Sequence, residues 1–532
     1  MIKDNSATNE SEGKVTSGKT HSFWIDSLDP LKYKSLSGDQ QTDVVIVGGG
    51  IAGLSVAYCL LKSGRKVILI EDGYLGSGET GRTTAHIVNA LDDLYSNIER
   101  VFGEKGSREA ANSHTAAIDF VEQVVIENNI ECDFRRVDGY MFLHPTDERK
   151  TLEEELKATH RAGLETFLLS NVPGIAVEDG PSLHYPKQAQ FHPLKYLKGL
   201  ADAITNLGGT IFTETHASEI NSDGVKANKF FIKANYIVVA TNTPVNNIFT
   251  MHTKQFPFRT YVIGALIPKK AIRPALWWDS GDQNSKHYTQ PYHYVRVQDF
   301  DRDNYLLISG GEDHKTGQGD KEDLPEENRY EALVKWTKER FPEMDKVLHR
   351  WSGQVMEPID HLAFIGKNPG NNNIYICTGD SGNGMTHGTI AGILITDLIN
   401  GKENPWEQIY DPSRLLFDKA GTYLKEIGSM GAQYADFLNS GDIDSAKELK
   451  PGEGAILRVG LKKIALYKDL EGSLKAFSAI CPHLGCVLHW NGEESSFDCP
   501  CHGSRFTCTG KVVNGPATSD LKPVEITEKM EA

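Results

Sequence analysis

An uninterrupted apolar segment long enough to cross a bilayer is missing from this sequence. The longest candidate, Val44 to Leu61, is broken by Gly48, Gly49, Gly50 and Gly53, whereas a spanning helix needs roughly 20 predominantly apolar residues. It reads instead as strand, turn and helix, so no transmembrane segment is expected. The stretch from Met1 to about Thr20 is polar and has no apolar h-region, so no secretory signal is visible. Positive charge is also short: 56 Lys and Arg against 72 Asp and Glu leave a formal charge of −16. That balance argues against nucleic acid or an anionic membrane as partner. Cysteine is sparse, with eight in 532 residues, and Cys59, Cys132, Cys377 and Cys508 are scattered singly. Single scattered thiols suit a reducing compartment and point to the cytoplasm. No internal repeat is visible. The remainder, 39% hydrophobic and 24% charged with 50 glycines, is ordinary for a soluble globular protein, and the length calls for two or three domains.

The other four cysteines crowd together near the C-terminus with two histidines. The chain reads Cys481-Pro-His483-Leu-Gly-Cys486 and then Cys499-Pro-Cys501-His502-Gly-Ser504. Two short loops thus each offer one thiolate and one imidazole. A Rieske [2Fe–2S] cluster needs that set, because two histidines replace two cysteines on one of its irons. Tetrahedral zinc also accepts two cysteines and two histidines, but zinc fingers usually separate the cysteines from the histidines. The pattern resembles the Rieske proteins of respiratory and photosynthetic cytochrome complexes. The resemblance implies Cys481, His483, Cys499 and His502 as metal ligands, and a Cys486–Cys501 disulfide clamping the loops. High-potential members of that family carry a tyrosine four residues after the last histidine. Here that position is Phe506, which has no donor, while Ser504 keeps the family's other hydroxyl.

The first half of the chain reads as a dinucleotide-binding unit. Thr42 to Val47 is a short buried-strand pattern that runs into Gly48-Gly49-Gly50-Ile51-Ala52-Gly53 and then an apolar helix. Gly48 permits the tight turn, Gly50 lets backbone approach a pyrophosphate, and Gly53 lets the helix pack on the strand. The helix start, at Ile51 and Ala52, offers free N–H groups to phosphates. A second strand, Lys66 to Ile70, ends in Glu71, whose carboxylate can accept from the ribose hydroxyls of an adenosine.

After Glu71 comes a loop of small residues, Gly76-Ser77-Gly78-Glu79-Thr80-Gly81-Arg82-Thr83-Thr84-Ala85-His86. Near the end of this region Asn373 to Asp380 reads as a strand, Ser381-Gly382-Asn383-Gly384-Met385-Thr386-His387-Gly388 as a turn, and Thr389 to Leu398 as a helix. These features resemble the FAD-dependent D-amino-acid-oxidase superfamily, which includes glycine and sarcosine oxidoreductases. The resemblance spans roughly Thr42 to Asn404. It implies FAD as cofactor, with Arg82, Thr83, Thr84, Asp380, Gly384, Met385 and Thr386 among the residues facing it. The second glycine-rich turn favours FAD over NAD. The superfamily's covalent flavin bonds use a histidine in the loop that here reads Gly81-Arg82-Thr83, so non-covalent FAD is expected.

The expected architecture is α/β: a Rossmann-like FAD-binding domain with an inserted antiparallel substrate-binding sheet, followed by an all-β Rieske domain. We expect an N-terminal extension over 1–40, with Phe23 and Trp24 docking on the body. The FAD-dependent oxidoreductase domain should cover 41–410, a helical connection 411–445, and the Rieske domain 446–532. Tyr288, Tyr292, His293, Tyr294 and Arg296 lie in a strand-like segment and, with His86, are candidates for the substrate site. An arginine there could clamp a carboxylate and aromatic faces could hold an alkylated amine, although sheet packing accounts for the same residues. Trp277-Trp278 reads as core. No pair of histidines with a carboxylate stands out for a mononuclear iron; His361, near Glu357 and Asp360, lacks a second histidine at helical spacing.

Together these features imply a flavoprotein that oxidises an amine or amino-acid-like small molecule. Its electrons would leave one at a time through the cluster to an external one-electron redox partner. Two other readings use the same parts: electrons entering at the cluster to feed the flavin, or an oxidase whose Rieske domain senses or docks. Because Phe506 offers no hydrogen bond to a cluster cysteine, the midpoint potential should fall in the middle or lower part of the roughly −150 to +300 mV Rieske range. A redox titration checks this, and a value near the top of that range would contradict it.

Overall fold

The computed structural model describes residues 18–176, 180–245, 251, 253–285, 291–318, 329–414, 434–437 and 439–531. Most of the expected helical connection, including Leu415, Leu416, Tyr423, Leu424 and Ile427, lies outside the described residues, as does Tyr288. No helix among the described residues is long and apolar enough to cross a membrane.

Runs of β-branched residues bounded by glycine build the first sheet. Gln40–Val47 lies at its centre, parallel to Phe230–Val239 on one side and to Val67–Ile70 on the other. Ile374–Thr378 and Thr210–Phe212 extend it in parallel, and Phe364–Lys367 closes one edge antiparallel. Such a mostly parallel sheet must be covered by helices. Ile51–Lys62 and Gly384–Ile399 do so side by side, and a Cβ on Gly388 would come within 2.7 Å of Ile51 Cγ2.

The second sheet has nine strands and carries long hydrophobic ladders, Gln255–Pro268 against Asn304–Lys315 and Val347–Pro358. It continues through Tyr294–Asp299, Leu276–Asp279, Arg135–Phe142 and Ser182–Gln190 to His86–Ile87. Pairing is antiparallel except between Leu276–Asp279 and Arg135–Phe142, which run parallel. The charged helices Tyr95–Glu127 and Arg149–Ala162 pack together beside it. Trp24, from the N-terminal segment, is fully buried, and its indole N–H donates to Thr83 O at 2.6 Å.

The C-terminal region is all β. One sheet holds Gly454–Val459, Lys462–Lys468 and Leu474–Ser478; the other holds His489–Asn491, Ser496–Asp498, Arg505–Thr507 and Val512–Asn514. Its seat on the rest of the molecule is ionic. Glu494 is 1% exposed and accepts from Lys19 N (2.7 Å), Thr20 N (3.1 Å), Thr20 Oγ1 (2.6 Å) and the Ser352 hydroxyl. The guanidinium of Arg82 lies 3.9 Å from it and that of Arg505 4.0 Å. Arg259 donates to the same Ser352 hydroxyl at 2.8 Å. Burial alone would push the Glu494 carboxyl up. The charges of Arg82, Arg505 and Arg259 and the Ser352 hydrogen bond outweigh it and hold the group far below the usual carboxylate range.

Glu494→Gln keeps the shape and removes the charge, taking from Arg82 its ion-pair partner while Arg505 keeps Asp498 at 3.1 Å. The expected cost is about 3–5 kcal/mol, read by chemical unfolding, with limited proteolysis releasing the C-terminal region faster than in wild type.

Candidate active site

The strand Gln40–Val47 delivers its C-terminal end to a tight turn. Gly48 has φ +114°, and a Cβ there would sit 2.2 Å from Ala240 O; a Cβ on Gly53 would sit 1.9 Å from Gly48 O. Only glycine fits either position. Helix Ile51–Lys62 starts directly after the turn, with Ile51 N donating to Thr80 Oγ1 at 3.1 Å. Glu71 closes the neighbouring strand, and its two oxygens accept from Gly49 N (2.6 Å) and Gly73 N (2.8 Å).

A cavity of about 320 Å³ runs from this turn to the second sheet. Of the residues singled out in the sequence, Gly48, Gly50, Ile51, Ala52, Glu71, Arg82, Thr83, Thr84, His86, Asp380, Gly384, Met385, Tyr292 and Tyr294 line it. Gly53 lies beneath the turn. Thr386 is turned away: its hydroxyl pairs with His114 Nδ1 at 2.8 Å and donates to Asn383 O at 3.1 Å. The Arg82 guanidinium also points elsewhere, donating to Gly18 O, Thr20 Oγ1 and Ser352 O at 2.9–3.0 Å.

Arg296 is not where a substrate clamp must be. It is fully buried, and its Nη1 donates to Phe191 O (3.0 Å), Thr84 O (3.2 Å) and Ala85 O (2.9 Å), while Nη2 donates to Gln298 Oε1. Burial, with a smaller push from Arg135, brings it down to about 9. It shares a strand face with Tyr294, but the Thr84–Ala85 loop lies over its end of that face, so it braces the loop. His293 is on the opposite face, stacked on Trp336 at 4.2 Å and bonded to Asp279 (2.9 Å) and Glu312 (3.1 Å). His86 pairs with Thr84 Oγ1 at 3.0 Å, and burial followed by the Arg296 charge lowers it to about 3, so its imidazole stays neutral.

Sequence reading missed the carboxylates of the cavity wall. Asp92, Asp313 and Glu357 all face it, beside Trp278, Tyr292, Tyr294 and Thr260. Burial raises Asp92 to about 7, against a hydrogen bond from Tyr292, and raises Asp313 to about 6. It lifts Glu357 well above its ordinary value, with Asp93 adding to the effect. Ser381 donates to Glu357 Oε2 at 2.8 Å and also to Asp93, which pairs with His361 Nδ1 at 2.8 Å. Asp360 faces Arg414 at 2.7 Å. Glu357, Asp360 and His361 therefore serve three different partners and form no metal triad. Gly382 is required here because a Cβ would strike Asp92 Oδ2 at 2.0 Å. No local spacing links residues 92, 313 and 357, so no sequence signal could have joined them.

In the C-terminal region the two cysteine–histidine loops repeat one backbone design. Cys481 N donates to Cys486 O (2.9 Å) and Gly485 N to Cys481 O (3.0 Å); Cys499 N donates to Ser504 O (2.8 Å) and Gly503 N to Cys499 O (3.1 Å). Gly485 and Gly503 take φ +82° and +78° at matching positions. Cys481 and Cys499 are buried with their thiols hydrogen-bonded to each other. The rings of His483 and His502 are 5.0 Å apart at 88°. Burial lowers both imidazoles to about 4, leaving them neutral as ligands must be. Backbone N–H groups of His483 and Leu484 point at the Cys481 sulfur, those of Cys501 and His502 at Cys499, and the Ser504 hydroxyl donates to Cys481. Cys486 and Cys501 form a disulfide with Cα atoms 6.5 Å apart. Two converging sulfurs, two neutral nitrogens and N–H groups aimed at the sulfurs fit a [2Fe–2S] cluster. The glycine turn, with backbone facing a long cavity, fits a dinucleotide. Phe506 is fully buried opposite Phe497.

Together the two sites define an oxidoreductase with one organic and one inorganic redox group. Residues 43–398 match the family model described as FAD dependent oxidoreductase, and residues 440–525 match that of the Rieske [2Fe–2S] domain. The chain belongs to the FAD-dependent oxidoreductase family and carries a C-terminal Rieske domain, so that it binds FAD and a [2Fe–2S] cluster. It is 32% identical over 95% of its length to the Rieske 2Fe–2S iron–sulfur protein YhfW of Bacillus subtilis, covering 97% of that protein. It is 25% identical over 76% of its length to γ-glutamylputrescine oxidoreductase of Escherichia coli, covering 94% of it. Among solved structures, L-proline dehydrogenase from P. horikoshii superposes with a TM-score of 0.57 at 21% identity, over 71% of this chain and 98% of that one.

Ser504→Ala removes the hydroxyl donated to Cys481. Losing one such bond, about 1 kcal/mol, should lower the cluster midpoint by about 40 mV for one electron, read by EPR-monitored redox titration.

Proposed function

We propose that the protein is a dehydrogenase for a cationic amine, with electrons leaving through the cluster to an external one-electron carrier. FAD supplies a hydride acceptor and the cluster a one-electron path. The cavity wall carries the reading. Asp92, Asp313 and Glu357 crowd into one buried space, and their ionised forms are costly there unless a cation joins them. A substrate ammonium is that cation, and Trp278, Tyr292 and Tyr294 offer ring faces suited to it. A carboxylate on the substrate would find repulsion instead. Arg296 is spent on the Thr84–Ala85 loop, and the Arg82 guanidinium on the N-terminal segment, Ser352 and Glu494. This favours an amine over an amino acid.

Asp92 is suited to take the proton that an ammonium must lose before its α-C–H bond can give up hydride and leave an iminium. Its value near 7 matches that task at neutral pH. His86, neutral throughout, positions without exchanging a proton. On the exit side, Gln354 lines the cavity and donates through Nε2 to Gly503 O at 3.1 Å, next to the ligand His502. That contact supports a path between the cavity and the Rieske loops. The free Cys59, Cys132, Cys377 and Cys508 support a cytoplasmic setting.

Anaerobic titration with diamines, N-methylated amines and amino acids, followed by flavin bleaching, tests the substrate class: amines should bleach it, and bleaching by amino acids alone would overturn the reading. Undiminished turnover with peroxide formation in Cys481→Ser would transfer the protein to the oxidases. Affinity should also depend on pH. Asp313 and Asp92 ionise as pH rises through about 6 and about 7, so amine binding should tighten between about pH 5 and 8 and plateau above. The substrate dissociation constant across that range, read from flavin absorbance, checks the sign.

A further inference from the structure

One carboxyl of the cavity wall has hydrogen bonds that lead away from the cavity. Residues 512–518 of the Rieske domain close one flank of this space, and Glu357, on the strand Val347–Pro358, lines it from the second sheet. Behind Glu357 stand Ser381, Asp93 and His361, none of which lines the cavity. The Ser381 hydroxyl lies 2.8 Å from Glu357 Oε2 and 2.5 Å from Asp93 Oδ2. Asp93 Oδ1 in turn lies 2.8 Å from His361 Nδ1. The side chains of Asp93 and His361 are 12% and 8% exposed, so the row of contacts runs from the cavity toward water.

The row has a direction. A hydroxyl carries one proton, and an ionised carboxylate has none to give. With both carboxyls ionised, Ser381 would have one proton for two acceptors, and a lone pair would face a lone pair at the other contact. One carboxyl must therefore hold a second proton. Asp93 also takes the N–H of His361. Glu357 sits instead among Asp92, Asp93 and Asp313, and burial followed by the Asp93 charge lifts it well above its ordinary value. The proton belongs on Glu357, which donates to Ser381 Oγ, while Ser381 donates to Asp93. Ser381 and His361 hold these positions with φ of +42° and +75°, left-handed backbone that non-glycine residues seldom adopt.

We propose that Glu357, Ser381 and Asp93 form a proton relay between the cavity and solvent, with His361 as the residue that positions Asp93 at its outer end. Oxidation of a primary ammonium ion to its iminium ion breaks one C–H and one N–H bond and sets free two electrons and two protons. An external one-electron carrier takes the electrons alone, so the protons need a path of their own; in an oxidase they would leave with peroxide. Glu357 gives its proton to the Ser381 oxygen as the Ser381 proton passes to Asp93, and Asp93, being partly exposed, delivers it to water. Glu357 then takes the next proton from the cavity, where Asp92 lies. This inference rests on the cluster being the electron route and is independent of which amine is oxidised.

The holoprotein, reduced photochemically without air, is mixed in a stopped flow with ferricyanide, which accepts electrons but no protons. Flavin absorbance follows the electrons and a pH indicator the protons, so a failed electron exit is told apart from a failed proton exit. In wild type the two signals should coincide. In Ser381→Ala and in Asp93→Asn, proton release should lag behind flavin reoxidation and run about 100-fold slower than in wild type, the low end of what a positioned proton-transfer group contributes. Coincident signals in a variant that keeps the wild-type flavin spectrum and cluster EPR overturn the proposal. The proton on Glu357 has its own reading at neutral pH. Glu357→Gln should lose one infrared band of a protonated carboxyl that wild type shows, and identical carboxyl bands in the two proteins also overturn it.

Discussion

A carboxylate sealed from water among guanidinium groups joins the two halves of this protein. Glu494 keeps its ionised state because Arg82, Arg505 and Arg259 converge around it and Ser352 donates to it, and the arginines come from both sides of the boundary. Ion pairs of this kind contribute little net stability compared with apolar packing, but they punish any misplacement. The register they enforce is tight. A Cβ on Gly503 would meet Pro257 Cβ at 2.6 Å, and one on Gly317 would meet Pro500 N at 2.9 Å. The cluster loop is thereby pressed flush against strand ends that also line the flavin cavity. The same constraint explains why Arg82, carried by the glycine-rich loop, has its guanidinium turned from the cofactor toward the interface.

The parts of the molecule that were legible in the sequence share one property: their chemistry is encoded by neighbours along the chain. The strand, glycine turn and helix from Gln40 to Lys62 follow from a β-branched run that stops at residues able to take positive φ. The two cluster loops follow likewise, since cysteine, histidine and glycine recur at fixed offsets and fold into matching hydrogen-bonded turns. The Cys486–Cys501 pairing, implied by family resemblance, is present.

What stayed hidden depends on which strand lies under which loop. Alternation puts Tyr294 and Arg296 on one face, yet nothing local says that Thr84 and Ala85 cover one and leave the other open. Trp277 and Trp278 read alike as core. The structure buries Trp277 against Phe341 and turns Trp278 to the cavity. The carboxylates at 92, 313 and 357 are brought together by three separate crossings of the second sheet and its flanking loops. Their meaning lies in mutual proximity, which a linear pattern does not carry.

The flank formed by residues 512–518 also bears on the order of events as the chain is made. In chain order the glycine turn at Gly48–Gly50 comes early, and the wall facing it far later, at residues 512–518. A product truncated anywhere between Asn400 and Lys511 would possess every flavoprotein strand and still present an open trough. The chamber is thus complete only once the iron–sulfur domain is in place beside the flavoprotein strands.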